Sequence, residues 1–260
     1  MKFELKKSLG QHFLRAPAYV RAIADAAAVG VGDTVLEIGP GDGALTAELL
    51  SRGARVIALE KDTRLIPILS EKFSQHIETG AFTVIETDAL EADPAALPIT
   101  SGNFKLVANI PYYITGALFR KFLSGAVQPS ILVFLIQKEV AERIARSKKE
   151  SILSLALKVY GQVAYVKTVP RGAFSPAPDV DSAILAISGI SRANFVDAAH
   201  ENRYFELLHA GFAQKRKLLK RNIEPVYSKN ALLYMQEASI PEQARAEDVP
   251  LEQWLLLANH

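Results

Sequence analysis

The chain has 260 residues, of which 49% are hydrophobic, so it can bury the core of one large domain and a smaller second one. It has no cysteine, which excludes disulfides, cysteine-ligated zinc and cysteine nucleophiles and suits a reducing cytoplasm. The formal net charge is only +2, so any affinity for nucleic acid must come from local basic patches. The first ten residues lack a signal-peptide core, and no uncharged apolar run approaches the roughly 18 residues of a membrane span, so we expect no membrane partner.

Helices and strands alternate through the first half of the chain. Apolar periodicity predicts helices at 16–28, 44–52, 65–73 and 118–123, and strands at 34–38, 55–59, 82–86, 104–109 and 131–136. This order predicts an α/β fold in which helices cover both faces of a parallel sheet. Ligands of such sheets bind outside the carboxyl ends of the strands.

The second half of the chain changes character. Helices are predicted at 138–146 and 153–160, and two late strands, which could form an antiparallel pair, at 163–169 and 182–187. After Gly189 the pattern is helical to the end. We therefore predict two domains, 1–188 and 189–260, the second of them all-helical.

A glycine-rich loop follows the first predicted strand of the sheet. Gly39 and Gly41 allow positive φ angles and let a ligand touch the backbone, and Glu60 ends the next strand, where its carboxylate can accept bonds from ribose hydroxyls. The spacing Gly39-x-Gly41-x-x-Ala44 also passes the loose dinucleotide pattern, so NAD is an alternative ligand. A purely structural turn is the ordinary explanation.

Further carboxylates surround this loop. Glu37 precedes it, Asp42 lies inside it, and Asp88 ends the third strand. A pyrophosphate prefers N–H donors without nearby anions, whereas a nucleoside that carries a sulfonium and an ammonium group tolerates acids well. Asp88 would then accept a bond from the adenine amine. The ordinary alternatives are a helix cap for Asp88, a turn aspartate for Asp42, and a surface pair of Glu60 with Lys61 or Arg64.

A stiff turn after the fourth strand offers groups that can hold a planar base. Pro111 fixes its own φ and keeps the preceding residue out of the helical region. Asn109 Oδ1 and the Ile110 carbonyl could accept both hydrogens of an adenine amine, Tyr112 could stack on the ring, and Phe174 could close its other face. The target base would have to flip out of its stack to reach them. Alternatively, Asn109 caps a helix and Tyr112 and Tyr113 are core aromatics.

At this point the chain resembles, over almost its whole length, the small-subunit rRNA adenine dimethyltransferases (the KsgA family), which share their catalytic fold with the Erm rRNA methyltransferases. The motifs are KSLGQHFL at 7–14, VLEIGPG at 35–41, Glu60, Asp88-Ala89, NIPYYI at 109–114 and FSPAPDVDS at 174–182. The segment FAQKRK at 212–217 is similar to the basic helix of that family.

The resemblance implies a class I methyltransferase fold, with a mostly parallel Rossmann-like sheet and one late antiparallel strand, and S-adenosyl-L-methionine as cofactor. It also implies that two adjacent adenosines near the 3′ end of small-subunit rRNA each receive two methyl groups. Domain 1–188 would bind the cofactor and domain 189–260 the rRNA. The residues it assigns to the cofactor are His12, Leu14, Gly39, Glu60, Asp88 and Asn109. Many members carry Asn in place of His12.

A basic segment near residue 216 is predicted to bind phosphates. On one continuous helix, an apolar stripe would contain Leu208, Phe212, Leu219 and Ile223, and the opposite side Arg216, Lys217, Lys220 and Arg221. Lys215 would fall inside the stripe. No acid lies between Glu206 and Glu224, so pairing within the helix cannot explain the charges. Lys6, Lys7 and Arg15 would form a second basic edge.

Four hypotheses follow from these patterns. The first is an rRNA adenine dimethyltransferase that acts on small-subunit rRNA in a pre-assembled 30S particle, in the cytoplasm and as a monomer. The second is an Erm-like enzyme of large-subunit rRNA. The third is a non-catalytic RNA- or DNA-binding factor on the same fold, and the fourth an NAD oxidoreductase. No metal site is predicted.

Overall fold

The computed structural model of the chain describes residues 12–109 and 111–260. Lys6, Lys7 and Ile110 lie outside the described residues. The chain forms two compact units. The first contains the described residues up to Ala141 together with Val163–Ile190, and the second contains Glu142–Gln162 together with Ser191–His260. The division near residue 190 lies close to the predicted boundary, whereas the excursion 142–162 into the second unit was not predicted.

Nine strands are present in the described part of the chain. They are β1 (Phe13–Leu14), β2 (Thr34–Ile38), β3 (Arg55–Glu60), β4 (Phe82–Glu86), β5 (Lys105–Asn109), β6 (Ile131–Gln137), β7 (Gln162–Val169), β8 (Phe174–Ser175) and β9 (Ser182–Ser188). Eleven α-helices are described alongside them: α1 (Pro17–Ala26), α2 (Ala44–Ser51), α3 (Leu65–Lys72), α4 (Ser74–Glu78), α5 (Thr115–Leu123), α6 (Lys138–Ala145), α7 (Ile152–Lys158), α8 (Ala198–Gly211), α9 (Leu219–Tyr227), α10 (Ala231–Glu237) and α11 (Leu251–Ala258). All seven predicted strands are among them.

The main sheet has seven strands in the order β4-β3-β2-β5-β6-β9-β7. Strands β4, β3, β2, β5 and β6 are parallel, and β9 runs antiparallel to β6. The predicted Rossmann-like sheet with a late antiparallel strand is therefore confirmed. Its central strands are apolar on both faces, as helices on both sides require, and Leu36, Ile57 and Leu106 are fully buried.

This topology brings four predicted site residues together at the carboxyl end of the sheet. Gly39 follows β2, Glu60 ends β3, Asp88 follows β4 and Asn109 ends β5. Because these four strands are parallel neighbours, their carboxyl ends lie at the same end of the sheet.

A separate two-stranded ribbon forms from segments far apart in the sequence. Strand β1 pairs antiparallel with β8, with Phe13 opposite Ser175 and Leu14 opposite Phe174. Arg15 N also donates to Ala173 O at 2.8 Å. This ribbon was not predicted, because two-residue strands carry no periodicity.

The second unit packs its helices around large aromatic side chains. Tyr204 and Trp254 are fully buried, and the Tyr160 hydroxyl is hydrogen-bonded to Glu201. Tyr204 donates to the Leu155 carbonyl at 3.2 Å, which fastens α7 to α8. These contacts are the physical reason why segment 142–162 belongs to this unit.

The predicted continuous basic helix is wrong. Helix α8 ends at Gly211 and α9 begins at Leu219, with turns between them. Asn222 Nδ2 donates to the Gly211 carbonyl at 2.6 Å and to the Gln214 carbonyl at 3.1 Å, so a side chain of α9 satisfies the acceptors left where α8 stops. A side chain at position 211 would collide with Trp254.

The predicted basic side chains therefore do not share one helix face. Lys215, Arg216 and Lys217 are exposed in the turn between the helices, so Lys215 does not lie in an apolar stripe. Arg221 is exposed on α9, whereas Lys220 forms an ion pair with Glu242, an acid distant in sequence. The predicted stripe itself is mostly buried, because Leu208, Leu219 and Ile223 reach the core of this unit.

Across the residues that the structure describes, no helix is long and apolar enough to cross a membrane.

Candidate active site

A cleft of about 640 Å³ opens at the carboxyl ends of β2, β3 and β5. It lies entirely within the first unit. The predicted site residues that line it are His12, Leu14, Gly39, Gly41, Glu60, Asp88, Asn109, Pro111, Tyr112 and Phe174. Cofactor and base residues predicted from separate motifs thus share one cavity.

The glycine loop presents bare backbone to this cleft. Gly41 has a φ of 60°, and a Cβ atom there would lie 2.7 Å from the ring of Phe13. Gly39 N donates to the Leu59 carbonyl at 2.9 Å, which anchors the start of the loop to β3. The loop therefore needs glycine both for its conformation and for its packing under Phe13.

Glu60 is a buried acid rather than a surface one. Its carboxylate accepts a bond from Asp62 N at 2.8 Å and a longer one from Gly41 N at 3.3 Å. Burial is the main influence on its pKa, which is raised. The alternative of a surface pair with Lys61 or Arg64 is wrong, because Lys61 contacts Asp88 and Arg64 contacts Asp62.

Asp88 combines a turn role with a place in the cleft wall. Its Oδ1 accepts from Leu90 N at 2.9 Å, as the capping alternative predicted, and its Oδ2 accepts from Lys61 Nζ at 2.7 Å. The hydrogen bond from Lys61 is the main cause of a lowered pKa, so Asp88 is ionised at neutral pH. A carboxylate retains further lone pairs for a ligand donor.

Glu37 lies deep beneath the glycine loop and is only 1% exposed. Thr46 Oγ1 donates to its carboxyl group at 2.6 Å. Burial raises the pKa of Glu37 to about 8, against an ordinary value of 4.5. The side chain is therefore mainly protonated at neutral pH, and a nearby cation would favour its ionised form.

Glu37→Gln should change how stability depends on pH. From about pH 5 to pH 8 the unfolded chain has an ionised carboxyl while the folded protein keeps the proton, so the wild-type unfolding free energy falls by about 1.4 kcal/mol per pH unit from this group. Glutamine preserves an acceptor for Thr46 and removes this slope. Denaturant unfolding of both proteins across the range measures the difference. The exposed Glu86→Gln serves as control, and parallel wild-type and Glu37→Gln curves would contradict the assignment.

A hydrogen bond to the segment around His12 holds the start of the turn after β5. Asn109 Nδ2 donates to the His12 carbonyl at 3.3 Å, which leaves its Oδ1 for another donor. His12 in turn is fixed by a 2.9 Å bond between its Nδ1 and the Pro176 carbonyl. The bond to His12 replaces the helix-capping role considered for Asn109.

The aromatic side chains near this turn differ in their surroundings. Tyr112 hydroxyl and Ser182 Oγ are 2.7 Å apart, so the ring is tethered from one end, and Phe174 is buried beside Leu14. Tyr113 is 73% exposed and is no core aromatic.

Several participants were missed by the sequence analysis. Ser182 holds Tyr112, and Asp62 lines the cleft and supports Glu60. Arg15 was predicted only as part of a basic edge, and its ion pair with Asp42 was not foreseen. Ser182 was quoted within a motif, yet only the fold shows which hydroxyl it meets. The acid pattern around Glu60 was the only available signal for Asp62.

No group of three or more His, Asp or Glu side chains that could hold a metal ion occurs within residues 12–109 and 111–260.

The chain matches the family described as ribosomal RNA adenine dimethylase over residues 2–260. It belongs to that family. Ribosomal RNA small subunit methyltransferase A of Dehalococcoides mccartyi is 39% identical over 256 residues, which cover 97% of this chain and 87% of the relative. The family resemblance inferred from the motifs is thereby confirmed, and with it the assignment as a methyltransferase that uses S-adenosyl-L-methionine.

Two solved structures resemble this ribosomal RNA adenine dimethylase along its length. The 23S rRNA methyltransferase ErmE has a TM-score of 0.76 and 29% identity, covering 95% of this chain and 98% of that one. A dimethyladenosine transferase from Plasmodium falciparum has a TM-score of 0.77 and 26% identity, covering 95% and 96%. The predicted methyltransferase fold is confirmed by both.

The residues of the cleft fit S-adenosyl-L-methionine. The buried carboxylate of Glu60 suits ribose hydroxyls, Asp88 suits an adenine amine, and the bare backbone at Gly39 and Gly41 admits close approach. Glu37 supplies a carboxyl group that a sulfonium or ammonium would draw toward ionisation. These chemistries match the ribose hydroxyls, the adenine amine and the two cationic groups of the cofactor.

Proposed function

We propose that the protein transfers methyl groups to the exocyclic amines of two adjacent adenosines near the 3′ end of small-subunit rRNA, giving dimethyladenosines. The observation that carries this proposal is the position of Asn109, Pro111 and Tyr112 in the same cleft as Glu60 and Asp88. The small-subunit specificity is supported by relatives named ribosomal RNA small subunit methyltransferase A, including one from Enterococcus faecalis that is 36% identical over 99% of this chain.

In this proposal the cofactor is held by His12, Leu14, Gly39, Gly41, Glu60, Asp88 and Asn109. S-adenosyl-L-methionine supplies, when bound, a methyl group on a positively charged sulfur. The protein's own task is alignment, because a direct displacement needs its two reacting atoms in line and in contact. Asp88 and Glu60 fix the nucleoside end through hydrogen bonds, and the glycine loop approaches the rest.

Asn109 orients the target amine. Its Nδ2 is already committed to the His12 carbonyl, so Oδ1 can accept a hydrogen of the amine and direct the nitrogen lone pair away from the ring. Tyr112, tethered to Ser182, and Phe174 offer the flat surfaces that hold a flipped base. Pro111 keeps the turn in its extended form.

No general base is required before attack. The amine proton becomes acidic only after the nitrogen has been alkylated, and it can then leave to solvent. A monomethylated amine keeps one hydrogen for Oδ1, so a second transfer needs only space for the first methyl group.

The rRNA contact is assigned to basic side chains. Arg216, Lys217 and Arg221 of the second unit form one part of it, and Lys6, Lys7 and Arg15 another. Lys220 contributes less than predicted, because its ion pair with Glu242 partly compensates its charge. These side chains would bind phosphates and position the RNA without reading its sequence.

The double variant Arg216→Ala/Lys217→Ala should weaken binding of small-subunit particles. If each side chain meets one phosphate, the slope of log affinity against log salt falls by about 0.7 to 0.9 per contact. Salt-dependent particle binding measures this, with the exposed Lys229→Ala of the same unit as control. An unchanged slope in the double variant would contradict the assignment.

An Erm-like activity on large-subunit rRNA is the second candidate, favoured by the likeness to ErmE. It is the weaker one, because ErmE is 29% identical whereas the small-subunit relative of Dehalococcoides mccartyi is 39% identical. A non-catalytic binding factor would not need Glu60, Asp88 and Asn109 around one cleft.

Transfer of labelled methyl groups to undermethylated subunits tests the proposal. We expect label in the small subunit, in a pre-assembled 30S particle, as N6,N6-dimethyladenosine at two adjacent positions. Label confined to the large subunit would establish the second candidate instead, and label in neither would favour the binding factor. We further propose that the enzyme acts as a monomer in the cytoplasm, where it meets the particle; sedimentation of the purified protein tests the first point.

A further inference from the structure

A shallow groove lies beside the candidate active site and is not used by the mechanism above. It is lined by the loop residue Leu90, by Gly116, Ala117, Arg120 and Lys121 of α5, and by Ser124 and Gly125 just after that helix. We call it the flanking groove. Leu90 also lines the active-site cleft, so the two cavities share this residue.

Hydrogen bonds and the buried face of α5 hold the residues of the groove in place. Lys121 Nζ donates to the Leu90 carbonyl at 2.8 Å, and Leu90 N is bound by Asp88. The opposite face of α5 carries Leu118, Phe119, Phe122 and Leu123, all buried. The groove-facing side therefore cannot rotate away, and its smallest residues, Gly116 and Ala117, leave room for a chain to approach closely.

Arg120 gives the groove its charge. It is exposed, and within the described part of the chain it makes no ion pair with a carboxylate. Lys121 differs, because its Nζ already donates to the Leu90 carbonyl and the nearby carboxylates of Asp88 and Asp93 partly compensate its charge. The guanidinium of Arg120 is thus the group available to an anionic partner.

Two exposed side chains with apolar surfaces line the cleft, and one of them, Leu90, also lines the groove. Tyr113 lines the cleft with 73% of its surface exposed, and Leu90 is 37% exposed. An aromatic side chain kept in water next to a base-binding turn is suited to stacking a second base. Its neighbour Tyr112 is tethered to Ser182 and is assigned to the target base.

We propose that the flanking groove binds the RNA strand next to the methylated adenosine, with a neighbouring base on Tyr113 and a backbone phosphate at Arg120. The inference rests on the proposed function and adds the path of the substrate outside the cleft. RNA is favoured over a protein partner because a flat aromatic side chain, small residues that allow close approach and the cation of Arg120 are offered beside the base pocket.

Methylation kinetics of four variants on undermethylated small subunits test the proposal. Arg120→Ala should raise KM for the particle about fivefold to tenfold, leave kcat within twofold, and reduce the salt slope by about 0.7. Tyr113→Ala should lower kcat/KM about tenfold, since stacking contributes about 1–3 kcal/mol per base, and Tyr113→Phe should behave as wild type.

Gly116→Asp separates the groove from the fold. A Cβ atom at position 116 meets nothing within 4 Å, and an acid in the first turn of α5 favours the helix. The variant should keep or raise Tm yet increase KM for the particle at least as much as Arg120→Ala. Arg55→Ala, at the opposite end of the sheet, is the matched control, and all variants should bind S-adenosyl-L-methionine as wild type does.

Wild-type KM and salt slope in both Arg120→Ala and Gly116→Asp would overturn this inference while leaving the proposed function intact. A wild-type protein that does not methylate the particle would overturn the proposed function, and this inference with it. Loss of cofactor binding in Arg120→Ala or Gly116→Asp would also count against the groove, since it would place these residues in the cleft.

Discussion

Asn109→Ala is expected to reduce methyl transfer by about 10²-fold or more, because it removes the acceptor that aligns the target amine. The variant also loses the bond from Nδ2 to the His12 carbonyl, which contributes about 1 kcal/mol to stability. Single-turnover transfer to undermethylated small subunits, with enzyme in excess, measures the chemical step.

Two comparisons make this result interpretable. Asn103→Ala removes the same side chain from an exposed turn and should retain full activity. Asn109→Asp keeps an acceptor at Oδ but no longer donates to His12, so an intermediate rate would separate the two roles of the amide. If Asn109→Ala transfers methyl groups at the wild-type rate, the proposed alignment mechanism is wrong.

Glu60→Ala should weaken S-adenosyl-L-methionine binding by about 100-fold. A carboxylate that accepts bonds from ribose hydroxyls contributes about 1.5–3 kcal/mol per bond, and truncation removes all of them. The glycine loop is affected as well, since Gly41 N and Asp62 N lose their acceptor. Calorimetric titration with the cofactor measures the affinity, and thermal unfolding shows how much of the loss comes from the loop.

The neighbouring strand provides a matched control for this experiment. Glu86 occupies the position on β4 that pairs with Glu60 on β3, but its side chain is exposed and lies outside the cleft lining. Glu86→Ala should bind the cofactor normally. Equal losses in the two variants would mean that general electrostatics, and not a ribose contact, explains the effect.

The strands of the sheet and the site residues at their carboxyl ends could be predicted because each is indicated by a short stretch of neighbouring residues. Short apolar runs that end in Gly39, Glu60, Asp88 and Asn109 specify parallel strands, and parallel strands bring their carboxyl ends together whatever their order. The residues of the cleft were therefore found before the strand order was known.

Contacts between residues that are distant along the chain could not be predicted from the sequence. The ribbon of β1 and β8 joins segments about 160 residues apart, and its two-residue strands have no pattern to detect. The prediction of one continuous basic helix was wrong for a related reason. The helical periodicity of the sequence continues through residues 212–218, but the contacts of Gly211 with Asn222 and Trp254, which lie further along the chain, end the helix there. The surface pairing considered for Glu60 was wrong because the burial of this side chain depends on the glycine loop.

The segment from His12 to Arg15 contacts three different parts of the cleft. Its first residue accepts a bond from Asn109, its middle pairs with the strand that carries Phe174, and its last forms an ion pair with Asp42 of the glycine loop. The donor site and the acceptor site are consequently not independent compartments. Any effect that one ligand has on this segment therefore reaches the other site, and linkage requires each ligand to change the affinity of the other by the same factor.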